Sequence, residues 1–501
     1  MNPPARKVKS LVFVVGAASL GAEIAAARLL APWFGASTIV WANTIATVLV
    51  ALSIGYALGG RVADRNPTIG GLSRLVLVAS VPLAIVPFAA GPFLRLSVQA
   101  FAHLSIGVFL GSLVGVSVLI AVPLLLLGMV SPYAVRVSVH RVEDAGRTAG
   151  RLYAISTAGA LVGTFLAALL LIPVVGTRRT FLLFAAALAL VALPGLTRRL
   201  AASVVPSVIL GLVLLPVGTL KPETSAGDRV IWERETQYQY ARVIQAPNGE
   251  RSLELNEGQA VHSLFRPGGY LVGGYWDDML AATQGGGRRP RAVAILGSAA
   301  GTTARAIGHY FPATRVDAVE IDPALTAVGR ELFALRGPRL HTYAADARPW
   351  LRDSSGGFDA ILVDAYRQPY IPFYLATREF FALTLARLAA GGVVAVNVGH
   401  PSGSTALEKV LTATMAAVFG RSHVWRDPVN ETNTVLLATT TVDPAARMRR
   451  RGSAAPGLKA AIDRAAARLT QPLAGGAVYT DDRAPVEWLI DASLAQVGEN
   501  H

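Results

Sequence analysis

Two hydrophobic rhythms divide the chain. As far as about residue 220 the apolar positions run on in long stretches, and beyond it short apolar runs alternate with helical patterns and turns. A span across a hydrocarbon core of about 30 Å needs roughly 20 apolar residues. Seven stretches approach that length, at about 10–31, 37–60, 72–94, 104–130, 152–175, 180–196 and 201–220, with the sixth the shortest. The first is too long, and too closely followed by others, to read as a cleaved signal peptide. The pattern predicts a multi-span helical membrane domain over 1–220.

The second rhythm begins with alternating apolar and polar residues over 229–244 and 251–261, broken by Pro247-Asn-Gly249, which predicts a hairpin. A small β-region over 221–285 therefore precedes a strand and helix alternation that fills 286–501. There Ala292-Val-Ala-Ile-Leu296 runs into the small-residue turn Gly297-Ser-Ala-Ala-Gly-Thr302, and a second strand ends in Glu320-Ile-Asp-Pro323, the acid lying 23 residues after Gly297. A doubly wound sheet holds the adenosine of a nucleotide-like cofactor in this way: the turn lets backbone N–H groups approach the ligand and the acid takes the ribose hydroxyls. Asp364 closes the apolar run Phe358-Asp-Ala-Ile-Leu-Val363, at the sheet edge where such folds bind ligands.

Charge sharpens the division. The 501 residues are 52% hydrophobic and 16% charged, with a net charge of +14 and a mean hydropathy of +0.46. Residues 1–220 hold 16 Lys and Arg against 4 acids, whereas the remainder holds 30 against 28. The basic excess therefore belongs to the apolar half, as juxtamembrane anchoring requires, and a nucleic-acid partner is not expected. Lys and Arg number twelve in the N-terminus and alternate loops (Arg6, Lys7, Lys9; Arg61, Arg65, Arg74; Arg136, Arg141, Arg147, Arg151; Arg198, Arg199) and three in the opposite loops. That bias puts the N-terminus in the cytoplasm of a bacterial-type inner membrane. Seven spans would then place the second half outside, while a nucleoside cofactor made in the cytosol places it inside, and the cytoplasmic side is the expectation here. The absence of cysteine excludes disulfides and thiolate chemistry, and the scattered histidines suggest no metal site.

Within the apolar half Glu23 and Arg28 lie in the first span, where an ionisable group is costly and marks either a site or a pairing with a neighbouring helix. Gly107, Gly111 and Gly115 recur at the spacing of close helix packing. Gly55-Tyr-Ala-Leu-Gly-Gly-Arg-Val-Ala-Asp-Arg65 is similar to a loop of major facilitator transporters.

The order Tyr238-Gln239, Leu253-Glu-Leu-Asn-Glu-Gly-Gln259, the glycine-type turn, Val319-Glu-Ile-Asp-Pro323, Asp346-Ala347 and Phe358-Asp-Ala-Ile-Leu-Val-Asp364 resembles the spermidine synthase (polyamine aminopropyltransferase) family over roughly 229–440. Glu23, Arg28, the 55–65 pattern and Thr480-Asp-Asp-Arg-Ala-Pro-Val-Glu487 look like its membrane-fused branch. The fold so implied is an α-helical membrane domain plus an α/β Rossmann-like, class I methyltransferase-like doubly wound domain with a small N-terminal β-region. The resemblance implies that Gln239, Gly297, Ser298, Ala299 and Gly301 contact the nucleoside, that Glu320 binds its ribose, and that Asp346 with Ala347 holds the adenine amine. Asp364 would orient or deprotonate the attacking amine, with Gln259, Tyr366 and Arg367 on the substrate side. The co-substrate would be decarboxylated S-adenosylmethionine or S-adenosylmethionine, without a metal. The partners would be a small-molecule amine acceptor and membrane lipid, with a homodimer left open.

Departures from the family accompany the match. Ala300 stands where soluble members hold the aminopropyl ammonium with an aspartate, and Asp364-Ala-Tyr-Arg367 puts a cation where they have a second carboxylate. Asp277, Asp278, Asp481 and Asp482 are the acids available to restore negative charge. Two alternatives therefore stand beside the aminopropyltransferase: a methyltransferase acting on an anionic or lipidic acceptor, and a transporter or scaffold with a nucleoside-sensing domain.

Overall fold

The computed structural model describes residues 3–101, 107–216, 218–222, 225–258, 260–366, 370–441, 443–451 and 455–499. Its contacts divide the chain into two units: Met1–Glu223 with Glu233–Ala241, and Thr224–Trp232 with Arg242–His501.

The first unit is largely helical, and among its described residues six helices are long and apolar enough to cross a membrane: Ala5–Phe34, Thr38–Arg65, Ile69–Phe101, Phe109–Ser138, Val142–Val175 and Thr177–Gly195. At the seventh expected span, over 201–220, the structure has a shorter apolar helix, Arg199–Leu214, after which the backbone turns extended at Leu215. The short apolar stretch at 180–196, by contrast, is a full helix.

Small residues set how closely these helices approach. A Cβ on Gly159 or Gly163 would lie 2.0 Å from the carbonyl oxygens of Phe13 and Ala17, and one on Gly55 would lie 2.3 Å from that of Leu125. Bilayer helices lack a hydrophobic drive to associate and rely on such backbone proximity. The expected glycine row behaves differently: Gly111 and Gly115 face the side chains of Phe34 and Leu94. Arg28 donates to the Gln237 carbonyl, and Glu23 is half-buried with no hydrogen-bond partner among the described residues.

In the second half β1 (Arg229–Glu235), β2 (Tyr240–Gln245), β3 (Arg251–Leu255) and β4 (Val261–Phe265) form a small sheet in the order β1-β2-β3-β4. The predicted turn is present between β2 and β3: the Gly249 N–H donates to the Ala246 carbonyl at 2.9 Å, with φ +80 at Gly249. Seven further strands follow: β5 (Ala292–Leu296), β6 (Arg315–Glu320), β7 (Leu340–Ala344), β8 (Phe358–Val363), β9 (Leu388–Gly399), β10 (Val424–Pro428) and β11 (Asn433–Thr439). Their order is β10-β11-β9-β8-β5-β6-β7, with β5 to β9 parallel and the β9-β11-β10 edge antiparallel.

Alternate residues of β5 enter separate cores. Ala294 and Leu296 pack with Phe380, Phe381 and Leu411 on one face, and Val293 and Ile295 pack with Leu280, Ile307 and Ile462 on the other. Burial on both faces explains why this strand reads as a continuous apolar run. The chain leaves β5 outward to β6 and β7, then returns to β8 on the other side of β5. The switch point of this Rossmann-like sheet thus lies between β5 and β8, where α/β folds place their ligands.

Candidate active site

The carboxyl ends of β5, β6 and β8 bring the expected turn and two acids together. Gly297 and Ser298 each donate their N–H to the Val319 carbonyl, at 2.9 and 3.0 Å, and the Asp364 N–H donates to the Leu296 carbonyl at 2.8 Å. Gly297 has φ +87, and a Cβ there would lie 2.5 Å from the Asp364 oxygen and from the Ala365 Cα. Only glycine tolerates both conditions. Ala299, with φ +45, is held in a region that L-residues seldom visit. Gly301, with φ +88, opens the helix Thr302–Tyr310. Strand β4 braces the turn, because the Ser263 hydroxyl accepts the Ala300 N–H at 2.9 Å and the Thr302 hydroxyl accepts the Leu264 N–H at 2.8 Å. Ser298 Oγ is buried without a hydrogen-bond partner.

Glu320 ends β6 and is almost wholly buried. Its carboxylate accepts the N–H groups of Ala299 at 2.8 Å and Asp322 at 3.0 Å. Burial pushes its pKa up to about 7 against those hydrogen bonds. Asp364 is partly open to the cleft, and its Oδ1 accepts the Asn397 Nδ2–H at 2.8 Å. Its pKa is likewise pushed up to about 7, by burial first and with the Glu320 charge adding, while hydrogen bonds from Asn397 and Tyr275 pull it down. The Asn397 orientation is fixed from behind, since Asn433 Nδ2 donates to Asn397 Oδ1 at 3.0 Å and leaves the amide N–H to face Asp364. Burial and the neighbouring Asp364 raise the pKa of the Tyr275 phenol well above its ordinary value, so this group stays a donor.

Beside Asp364 lies a cavity of about 440 Å³, with Tyr275, Trp276, Tyr366, Asn397, His400 and Asn433 in its wall and no acidic side chain among the described lining residues. The Tyr366 hydroxyl is spent on β9, donating to the Asn397 carbonyl at 2.9 Å and accepting the Gly399 N–H at 2.5 Å, so the ring serves as wall.

The remaining expected residues are placed as follows. Asp346 caps the helix Ala347–Asp353 by accepting the Arg348 N–H at 3.0 Å, and its other oxygen accepts the Tyr374 hydroxyl at 2.7 Å. Ala347 is the buried first residue of that helix. Gln239 falls in the first unit, its N–H donating to the Thr236 hydroxyl at 3.0 Å. Gln259 and Arg367 lie outside the described residues. Of the acids held in reserve, three are engaged elsewhere. Asp277 accepts the N–H groups of Val272 and Gly273 at 3.1 and 3.0 Å, Asp278 pairs with Arg468 at 2.7 Å, and Asp481 pairs with Arg348 at 2.7 Å. Asp482 lies on the surface. No group of three or more His, Asp or Glu suited to a metal occurs among the described residues.

Sequence reasoning missed Tyr275, Asn397, Asn433 and Ser263. Asn397 left one trace, a lone amide inside the apolar run Val393-Val-Ala-Val-Asn-Val398. The others come to the site from positions distant in the chain.

No family model matches the chain. It is 31% identical over 287 residues to a probable polyamine aminopropyl transferase of Bifidobacterium longum, a match covering 53% of this chain and 63% of that one. It is 31% identical over 162 residues to a polyamine aminopropyltransferase of Vibrio vulnificus, covering 31% and 52%. The chain thus spans less than two thirds of both. A polyamine aminopropyltransferase of Mycobacterium tuberculosis is 29% identical over 441 residues, 82% of this chain and 78% of that one. That overlap is longer than residues 221–501, so it takes in part of the apolar half. Among solved structures, a probable spermidine synthase from Corynebacterium glutamicum is 21% identical with a TM-score of 0.38, covering 49% of this chain and 96% of that one. Human methyltransferase-like protein 13 in complex with SAH is 20% identical with a TM-score of 0.32, covering 42% and 99%. The chain is thus similar to polyamine aminopropyltransferases, with an apolar helical region preceding the half that carries the candidate active site.

Proposed function

We propose that the protein is a membrane-bound aminopropyltransferase that moves an aminopropyl group from decarboxylated S-adenosylmethionine to an amine acceptor. The observation that carries this reading is Asp364, a carboxyl with a pKa of about 7, held between Asn397 and Tyr275 and adjoining the Gly297–Gly301 turn. A nucleoside fits that turn: Ser298 offers a buried hydroxyl without a partner and Glu320 keeps lone pairs for ribose hydroxyls. The reacting amine must be unprotonated and in line with the carbon beside the sulfonium. Asp364 would take the proton that the amine sheds as its new C–N bond forms and the C–S bond breaks, leaving a neutral nucleoside thioether. The acceptor would occupy the cavity beside Tyr366. The test is release of the nucleoside thioether from the decarboxylated donor, which this reading makes dependent on added amine.

A base with a pKa near 7 sets the pH dependence. Below that value Asp364 is protonated and cannot accept, so kcat/KM should rise with pH through about 7. The Asn397 hydrogen bond favours the ionised form, and its removal in Asn397→Leu should move the rise to higher pH. An unmoved profile would detach Asp364 from the reaction.

One observation favours methyl transfer as a second reading. Ala300 is fully buried and its N–H is occupied by Ser263, so position 300 offers no charge to an aminopropyl ammonium. Six spans with basic loops inside would put the catalytic half in the cytoplasm. A reporter fused after His501 should then read as cytoplasmic, and an external signal would reverse the orientation.

A further inference from the structure

The helical unit contains a cavity that the aminopropyl reading does not use. It measures about 230 Å³ and is lined by the hydroxyl-bearing residues Ser19, Tyr56, Ser131, Tyr153, Ser156 and Thr157, with Val12, Val15, Leu20, Leu52 and Leu127 completing apolar walls. Gly16 keeps one wall tight, since a Cβ there would lie 2.2 Å from the Ser156 carbonyl oxygen.

Several hydroxyls elsewhere in these helices are satisfied within their own helix. Thr44 donates to the Val40 carbonyl at 2.8 Å, Ser53 to Leu49 at 2.7 Å and Thr164 to Ala160 at 2.9 Å, and Ser19 itself donates to Val15 at 2.9 Å. This is the ordinary arrangement where no water is at hand. The hydroxyls of Tyr56, Ser131, Tyr153, Ser156 and Thr157 have no such partner among the described residues, and all five border this one cavity. Hydroxyls without a protein partner at a cavity wall are free to donate to and accept from a ligand.

The lining also specifies the ligand's chemistry. No Lys, Arg, His, Asp or Glu borders the cavity, and Glu23, one helical turn beyond Ser19, is not part of the wall. Hydroxyls both donate and accept, so they match a neutral group that does the same. Tyr56 and Tyr153, both in its wall, are 49% and 55% exposed, so the cavity lies close to the unit's surface. We propose that the cavity binds the uncharged, hydroxyl-bearing headgroup of an amphiphile that enters from the bilayer, its chain resting on the apolar flank. The proposal stands whether or not the second half is an aminopropyltransferase.

The test uses the full chain in lipid nanodiscs and three photoreactive probes with one dodecyl chain, ending in an alcohol, a primary ammonium or a carboxylate. The alcohol should label segments 12–20 and 153–160 in preference to the other two, and unlabelled dodecanol should compete. Removing two hydroxyls in Ser156→Ala/Thr157→Val should weaken that competition by about tenfold or more. Tyr56→Phe, which keeps the ring, should weaken it several-fold, and Ser53→Ala, whose hydroxyl is already bonded and lies outside the lining, should leave it unchanged. Equal or stronger labelling by the ammonium or carboxylate probe, no labelling of these segments, or undiminished competition in both cavity variants would overturn the proposal.

Discussion

Asp364→Asn should lower turnover by about 10²- to 10⁴-fold, the range for loss of a positioned general base, while donor affinity stays within a few-fold. Asparagine keeps the shape and still has an oxygen to accept the Asn397 Nδ2–H and the Tyr275 hydroxyl. What it cannot do is accept the proton an attacking amine must lose. Single-turnover rates and donor titration, measured on one preparation, separate the two effects. A loss confined to donor affinity would make Asp364 a binding residue and the cleft a sensor.

Gly297→Ala should destabilise the second unit by about 2–4 kcal/mol, combining the strain of an L-residue at positive φ with the cost of overpacking. The added methyl meets the backbone of Asp364 and Ala365 at about 2.5 Å, atoms that cannot swing aside as a side chain would. Moving them carries the Asp364 carboxylate away from Asn397, so turnover should fall further than stability alone explains. Denaturation midpoints and rates at a temperature where the variant is fully folded check both parts. A variant of unchanged stability would mean that the turn is slack.

The parts legible in the sequence are those whose signal is local. The apolar run Ala292–Leu296, the small-residue turn after it and the acids at 320 and 364 sit in the structure at the carboxyl ends of adjacent parallel strands, because strand length, turn chemistry and period are encoded within a few residues. Residues 201–220 have the hydropathy of a span, and only the backbone shows that the apolar helix there is the shorter Arg199–Leu214.

What lay out of reach depends on pairs distant in the chain. Asp278 and Asp481 read as free acids until Arg468 and Arg348 are seen beside them. Asp346, expected to hold the adenine amine, also caps a helix and accepts the hydroxyl of Tyr374, 28 residues away. The orientation of the Asn397 amide, which bears on how readily Asp364 ionises, depends on Asn433 in the neighbouring antiparallel strand.

Donor exchange tests the central claim most directly. Purified protein is given the decarboxylated donor and intact S-adenosylmethionine in separate reactions with the same amines, and the products are weighed by mass spectrometry. The account predicts an aminopropyl increment on an amine from the decarboxylated donor and no product from the intact one. A methylene increment from intact S-adenosylmethionine, with none from the decarboxylated form, would contradict it and make the chain a methyltransferase.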